Sequence, residues 1–131
     1  MRFVLIFILY FIFIPISESQ FQIAGDAVDI GNDCYRLTND SQNQAGSFWN
    51  TSLIDLNYPF IVNFEAYFGC PFIFVDGGDG IALVLQNTGS NLAPLGGGSL
   101  GYGGIANSIA IEFDTYTNNT IGDPSFDHVS L

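Results

Sequence analysis

Residues 109–128, IAIEFDTYTNNTIGDPSFDH, alternate apolar side chains with oxygen donors, then add Asn118, Asp123 and the only histidine of the sequence, His128. In an extended chain successive side chains leave opposite faces. Glu112, Asp114 and Tyr116 therefore share one face, while Ile109, Ile111 and Phe113 share the other and are expected to meet the core. Carboxylates held side by side repel until a cation, a shared proton or water relieves them. Carboxylate, amide and carbonyl oxygens suit a hard cation such as Ca²⁺, whereas an imidazole among carboxylates suits a first-row transition metal. Both donor kinds are present, so two adjacent ions sharing Asp114 and Asp123 fit better than one. The plain alternative is a strand and loop of solvated acids.

The elements that must position this cluster are read as strands. In PFIVNFEAYF, Phe60, Val62, Phe64, Ala66 and Phe68 fall on one face and Asn63, Glu65 and Tyr67 on the other, the period-2 pattern of a half-buried strand. GIALVLQN is apolar on both faces, as expected of a strand covered on both sides, and SIAIEFDTY alternates again. Turn-forming residues separate these runs at 69–71, 76–80 and in the glycine-rich stretch 96–104. No window beyond the first residues carries an amphipathic helix pattern. Many strands, large aromatics and glycine-rich connections predict an all-β protein built as an antiparallel β-sandwich.

Residues 1–19, MRFVLIFILYFIFIPISES, have the basic start, apolar run and small polar exit of a secretory signal, predicting cleavage after Ser19 and a secreted or surface-displayed product. An uncleaved anchor is the alternative; with the signal removed, no membrane insertion is expected. Beyond residue 19, Arg36 is the sole cationic side chain against twelve acids, a formal charge of −11. That excess disfavours nucleic acid and anionic membranes as partners and makes divalent cations plausible ones. Cys34 and Cys70 form an even pair in an exported chain, compatible with a disulfide or with two free thiols. No linker or repeat divides residues 20–131, which read as one domain. Single-domain β-sandwiches commonly reach roughly 200 residues, so the sequence is expected to be the N-terminal part of a larger unit, with further C-terminal domains or an oligomer possible.

The segment EFDTYTNNTIGDPSFDHVSL resembles the metal-binding segment of the legume-type (L-type) lectins, whose pattern runs E-[FL]-D-T-[FY]-x-N, then D-P, then H-[IV]-G-[IV]. Upstream, LTND, GSFWN, GGDGIALVLQ and GGGSLGYGG resemble the family's other signatures in the same order, so the likeness runs over essentially all of residues 20–131. GDAVDIGNDCYRLT and the cysteine pair look more like bacterial members. The resemblance implies a concanavalin A-like jelly roll, here incomplete. It implies that Glu112, Asp114, Asp123 and His128 hold a transition metal, usually Mn²⁺, and that Asp114, the Tyr116 carbonyl, Asn118 and Asp123 hold Ca²⁺. It implies non-catalytic binding of glycans or glycoconjugates. Asp79 would accept from two sugar hydroxyls, the Asn118 amide and the Gly98 N–H would donate, and Tyr116 is a candidate plate for the sugar ring. In the family the aspartate of A-D-G follows a cis peptide; here Gly78 replaces the alanine. Ser130 stands where the family usually has glycine.

Other readings compete. Jelly-roll glycosidases carry E-x-D followed by a third acid; Glu112 and Asp114 fit the start, but residues 115–118 supply no acid in register. A non-sugar adhesion module could keep the scaffold without the site, although Asp79 and Asn118 are both present. Gly96, Gly98 and Gly101 satisfy G-x-G-x-x-G, yet no helix pattern follows, and dinucleotide binding requires strand, turn and helix. The sequons at Asn39, Asn50 and Asn118 matter only in a eukaryotic secretory route, where a glycan on Asn118 would block the sugar site.

Overall fold

The computed structural model describes residues 20–69 and 77–131. The expected signal segment and Cys70, and with Cys70 the expected pairing to Cys34, lie outside these residues. Seven strands run in the order β1 (Phe21–Gly25), β2 (Val28–Gly31), β3 (Cys34–Arg36), β4 (Gly46–Asn50), β5 (Gly80–Gln86), β6 (Ser108–Asp114) and β7 (His128–Ser130). All pairings are antiparallel: β1 with β4, β2 with β3, and a three-stranded sheet ordered β5-β6-β7. Among the described residues the only helical element is one 3-10 turn, Gly97–Ser99, and no helix is long and apolar enough to cross a membrane.

The N-terminal strands pack through aromatics. Tyr35 stacks on Phe48 at 4.6 Å between ring centroids, and Phe21 meets both rings edge-on at 5.4 Å. On β4, Trp49 is buried and its indole N–H donates to the Leu92 carbonyl at 3.3 Å, tying this sheet to the chain leading into the glycine-rich loop.

The sheet that carries the ligand cluster follows the period-2 pattern but buries the face opposite to the expected one. Ala110 and Asp114 are only 7% and 5% exposed, whereas Ile109 is 54% exposed. The reason is what lies over each side. The even-numbered face is met by the folded loop 96–104 at Glu112, to which Tyr102 donates, while Ile109 and Ile111 look onto an open apolar hollow of about 220 Å³ shared with Phe60, Val62, Leu83 and Leu85, which Ala110 also lines. The predicted strand over residues 60–68 forms no ladder among the described residues. Its alternation survives as a lean: Phe64 meets the Phe113 ring edge-on at 6.0 Å, and Phe60 at 43% exposure is more covered than Ile61 at 85%. The apolar pattern was read correctly as a face, but a strand also needs a hydrogen-bonded neighbour, and none pairs with it here.

Register sets the site. Gly80 pairs with Asp114 across β5 and β6, and Asp114 pairs with His128 across β6 and β7, so the residue after Asp79, the last acid of β6 and the first residue of β7 sit in one row at one end of the sheet. Gly80 has φ 151°, and a Cβ there would lie 2.3 Å from the Phe113 carbonyl oxygen, which is backbone and cannot yield. Gly80→Ala should therefore lower stability by about 1–3 kcal/mol, the usual cost of forcing atoms into a packed site, as measured by chemical denaturation.

Candidate functional site

Asp114 is the most buried ionisable group of the cluster. One of its oxygens accepts from the Tyr116 N–H at 2.8 Å, which turns the chain at the end of β6. Asp123 does the same further along, accepting from the Asn118 N–H at 2.8 Å, and the Ile121 N–H closes onto the Asn118 carbonyl at 3.0 Å. Thr117 donates from its hydroxyl to the Pro124 carbonyl at 3.2 Å. Four local bonds thus curl residues 115–124 into a loop that folds Asp123 back beside Asp114.

Asp114, Asp123 and His128 each present a ligand atom within 4.8 Å of the others, the spacing of donors around one ion. His128 Nδ1 lies 3.3 Å from the Phe126 carbonyl. With Nδ1–H donating there, Nε2 is the nitrogen left to ligate a metal, the usual outer-shell arrangement for a metal-binding histidine. Asn118 Oδ1 is buried and has no hydrogen-bond partner. A buried amide oxygen left unpaired costs about 1–3 kcal/mol, and a hard cation between Asp114 and Asp123 would supply the partner it lacks. The donor set on that side, carboxylate and amide oxygens, fits Ca²⁺.

Glu112 is placed differently from the ligand expected of it. Its side chain stands outside the three-residue group. The Tyr102 hydroxyl, from the glycine-rich loop, donates to its Oε1, and the Ser130 hydroxyl, from β7, donates to its Oε2 at 2.5 Å. Ser130 pairs with Glu112 in the β6–β7 register. The hydrogen bond from Ser130 holds the Glu112 carboxyl below the ordinary glutamate range; the bond from Tyr102 and the nearby His128 act the same way, against a smaller opposing effect of burial. Correspondingly, the hydrogen bond to Glu112, then burial, then the charge of Glu112 push the Tyr102 phenol up to about 12.

The residues expected to meet a sugar converge on the same end of the sheet. The Gly78-Asp79 peptide is cis, and the Asp79 carbonyl accepts from the Thr115 N–H at 2.9 Å, fixing this turn to the end of β6. The Tyr116 side chain lies against Gly78, where an added Cβ would come within 2.8 Å of it. Gly98 lies against Asn118, whose Oδ1 would be 3.0 Å from a Cβ at that glycine. The loop carrying Gly98 is not a loose tether. Leu100 N–H donates to Gly97 and Gly101 N–H to Leu95, both at 2.9 Å, and Tyr102 and Gly103 N–H groups both return to the Ser99 carbonyl. No α-helix follows it among the described residues, so the dinucleotide pattern has no structural support.

These features describe an antiparallel β protein with an acidic, loop-wrapped ligand cluster at one sheet end, beside a turn and a glycine-rich loop. The model of the legume lectin beta-barrel domain matches residues 15–131. The chain belongs to the L-type lectin family, whose fold is the concanavalin A-like sandwich. That family is typically non-catalytic, which agrees with the missing third acid after Asp114. No solved structure matches the chain.

Reading the residues alone did not single out Tyr102, and it noted Ser130 only as a departure from glycine. The register that sets Ser130 opposite Glu112 turns that departure into a contact. Two measurements follow. Added Ca²⁺ should stabilise the protein by about 2.7 kcal/mol at a hundredfold excess over its dissociation constant, and Asp114→Asn should abolish that gain in thermal unfolding. For Tyr102, the raised pKa means its bond contributes fully below pH 10, the ordinary phenol value, and is lost as pH rises through about 12. A tyrosinate absorbance titration should show one phenol ionising near 12, falling back toward the ordinary range in Glu112→Gln, where burial is still in place.

Proposed function

We propose that this domain binds glycans through a calcium-ordered loop and does no chemistry on them. The observation that carries this reading is the meeting of Gly98 with the Asn118 side chain, whose Oδ1 is buried without a hydrogen-bond partner. Calcium held by Asp114, Asp123, Asn118 Oδ1 and the Tyr116 carbonyl would satisfy that oxygen. It would also leave the Asn118 amide N–H groups aimed at a ligand. When bound, the ion supplies positive charge that offsets the paired carboxylates and stiffens the loop.

The sugar contacts then belong to this chain's own groups. A monosaccharide needs donors and acceptors converging on neighbouring hydroxyls and an apolar plate for its C–H face. Asp79 accepts from two hydroxyls. Asn118 Nδ2 and the Gly98 N–H donate, the latter from a position where no side chain intervenes. The exposed Tyr116 ring, lying against Gly78 next to Asp79, serves as the plate. With the same two carboxylates His128 would offer a ring nitrogen to a transition metal such as Mn²⁺, three side-chain ligands being gathered there rather than four.

The export signal read in residues 1–19 and the acidic balance support a secreted or cell-surface protein acting on glycoconjugates, and the formal charge of −11 argues against nucleic acid as a partner. Asp79→Ala should abolish capture on immobilised glycans while preserving the calcium-induced rise in thermal stability. Unchanged glycan affinity in that variant would show that the sugar site has been assigned to the wrong residues.

A further inference from the structure

We propose that Glu112 is a clamp between the glycine-rich loop and the sheet rather than a metal ligand, so that this domain depends on one hard cation and not on a paired transition metal. The inference rests on the glycan-binding reading above for its functional consequence, but the geometry that supports it stands apart from any sugar. Both Glu112 oxygens accept from hydroxyls: Tyr102, four residues past Gly98, and Ser130, its register partner on β7. The carboxylate is thus fastened from two directions, and it stands outside the group formed by Asp114, Asp123 and His128.

Each partner is a residue whose hydroxyl makes the arrangement. Glycine at position 130 would offer no donor, and phenylalanine at 102 would keep the ring and lose the bond. A hydrogen bond to an ionised carboxylate is roughly twice as strong as a neutral one, and two of them satisfy an anion that would otherwise call for a cation. The His128 side of the cluster is left with three side-chain ligands; removing merely the outer-shell support of a ligand costs roughly 10- to 100-fold in metal affinity, and a missing ligand costs at least as much. The calcium side is unaffected, because Asp114, Asp123 and Asn118 do not involve Glu112. The Tyr102 bond holds the loop that presents Gly98 to Asn118, which makes Glu112 a positioning residue for the glycan site.

The test is metal content by mass spectrometry on purified protein equilibrated with excess Ca²⁺ and Mn²⁺ and then freed of loose ions. Wild type is expected to keep one equivalent of Ca²⁺ and only traces of Mn²⁺. The pair Tyr102→Phe and Ser130→Gly, which frees Glu112, should raise Mn²⁺ retention at least several-fold, with Ca²⁺ unchanged. A full equivalent of Mn²⁺ in wild type that disappears in Glu112→Gln would overturn the proposal, as would a freed Glu112 that gains no Mn²⁺. If the double variant does not fold by circular dichroism, Ser130→Gly alone and wild type against Glu112→Gln give the same decision. Tyr102→Phe should also weaken glycan capture at saturating Ca²⁺ without changing Ca²⁺ content. Failure of the glycan reading would appear separately, as wild type that takes up Ca²⁺ yet captures no glycan.

Discussion

Asp114 and Asp123 set the terms for everything around them. Each accepts a backbone N–H with one oxygen, and together these bonds fold residues 115–124 back on the end of β6. The same folding brings two carboxylates within ligand distance of one another and of His128, in a chain that carries thirteen acids and two basic residues. Four local hydrogen bonds hold that curl, and two carboxylates held so close favour a neighbouring positive charge. Sheet register does the rest, because Gly80, Asp114 and His128 lie in one row, and the Asp79 turn is bonded to Thr115 just past it. The group of Asp114, Asp123 and His128 and the Asp79 turn are thus two sides of one strand end.

The glycine-rich loop is the second structural dependency. It meets β6 through the Tyr102 hydroxyl on Glu112 and brings Gly98 against Asn118. Its own turns are closed by backbone hydrogen bonds, and its one side-chain tie to the β6 carboxylates is the Tyr102 hydroxyl on Glu112. The position of that loop is set partly by protein hydrogen bonds that run through Glu112, a residue expected to serve a metal.

Much of this was legible in the residues, and the places where it was not have physical reasons. Strand alternation placed Glu112 and Asp114 on one face, and the donor types that follow marked Asn118, Asp123 and His128 before the likeness to the lectin segment gave them roles; the three that gather most closely are Asp114, Asp123 and His128. The cis bond that precedes this aspartate in the family is present before Asp79, and Gly98, marked by the resemblance, lies against Asn118. Alternation cannot say which face is covered, since that depends on a distant loop. For this reason Ile109 lies exposed where a core residue was expected. A period-2 pattern likewise cannot supply a pairing partner, which is why residues 60–68 lean on the sheet without joining it. The Tyr102 and Ser130 contacts with Glu112 depend on register and on loop packing, neither of which a ligand pattern encodes.

Cation-ordered glycan binding is tested most directly by capture of the protein from its natural source on a glycan surface. Capture would be read before chelation, in excess chelator, and after calcium is restored. The expected result is capture that vanishes with the chelator and returns with calcium alone, without added manganese. Capture that persists in excess chelator would contradict the central claim, since the Asn118 loop would then be holding its shape without an ion.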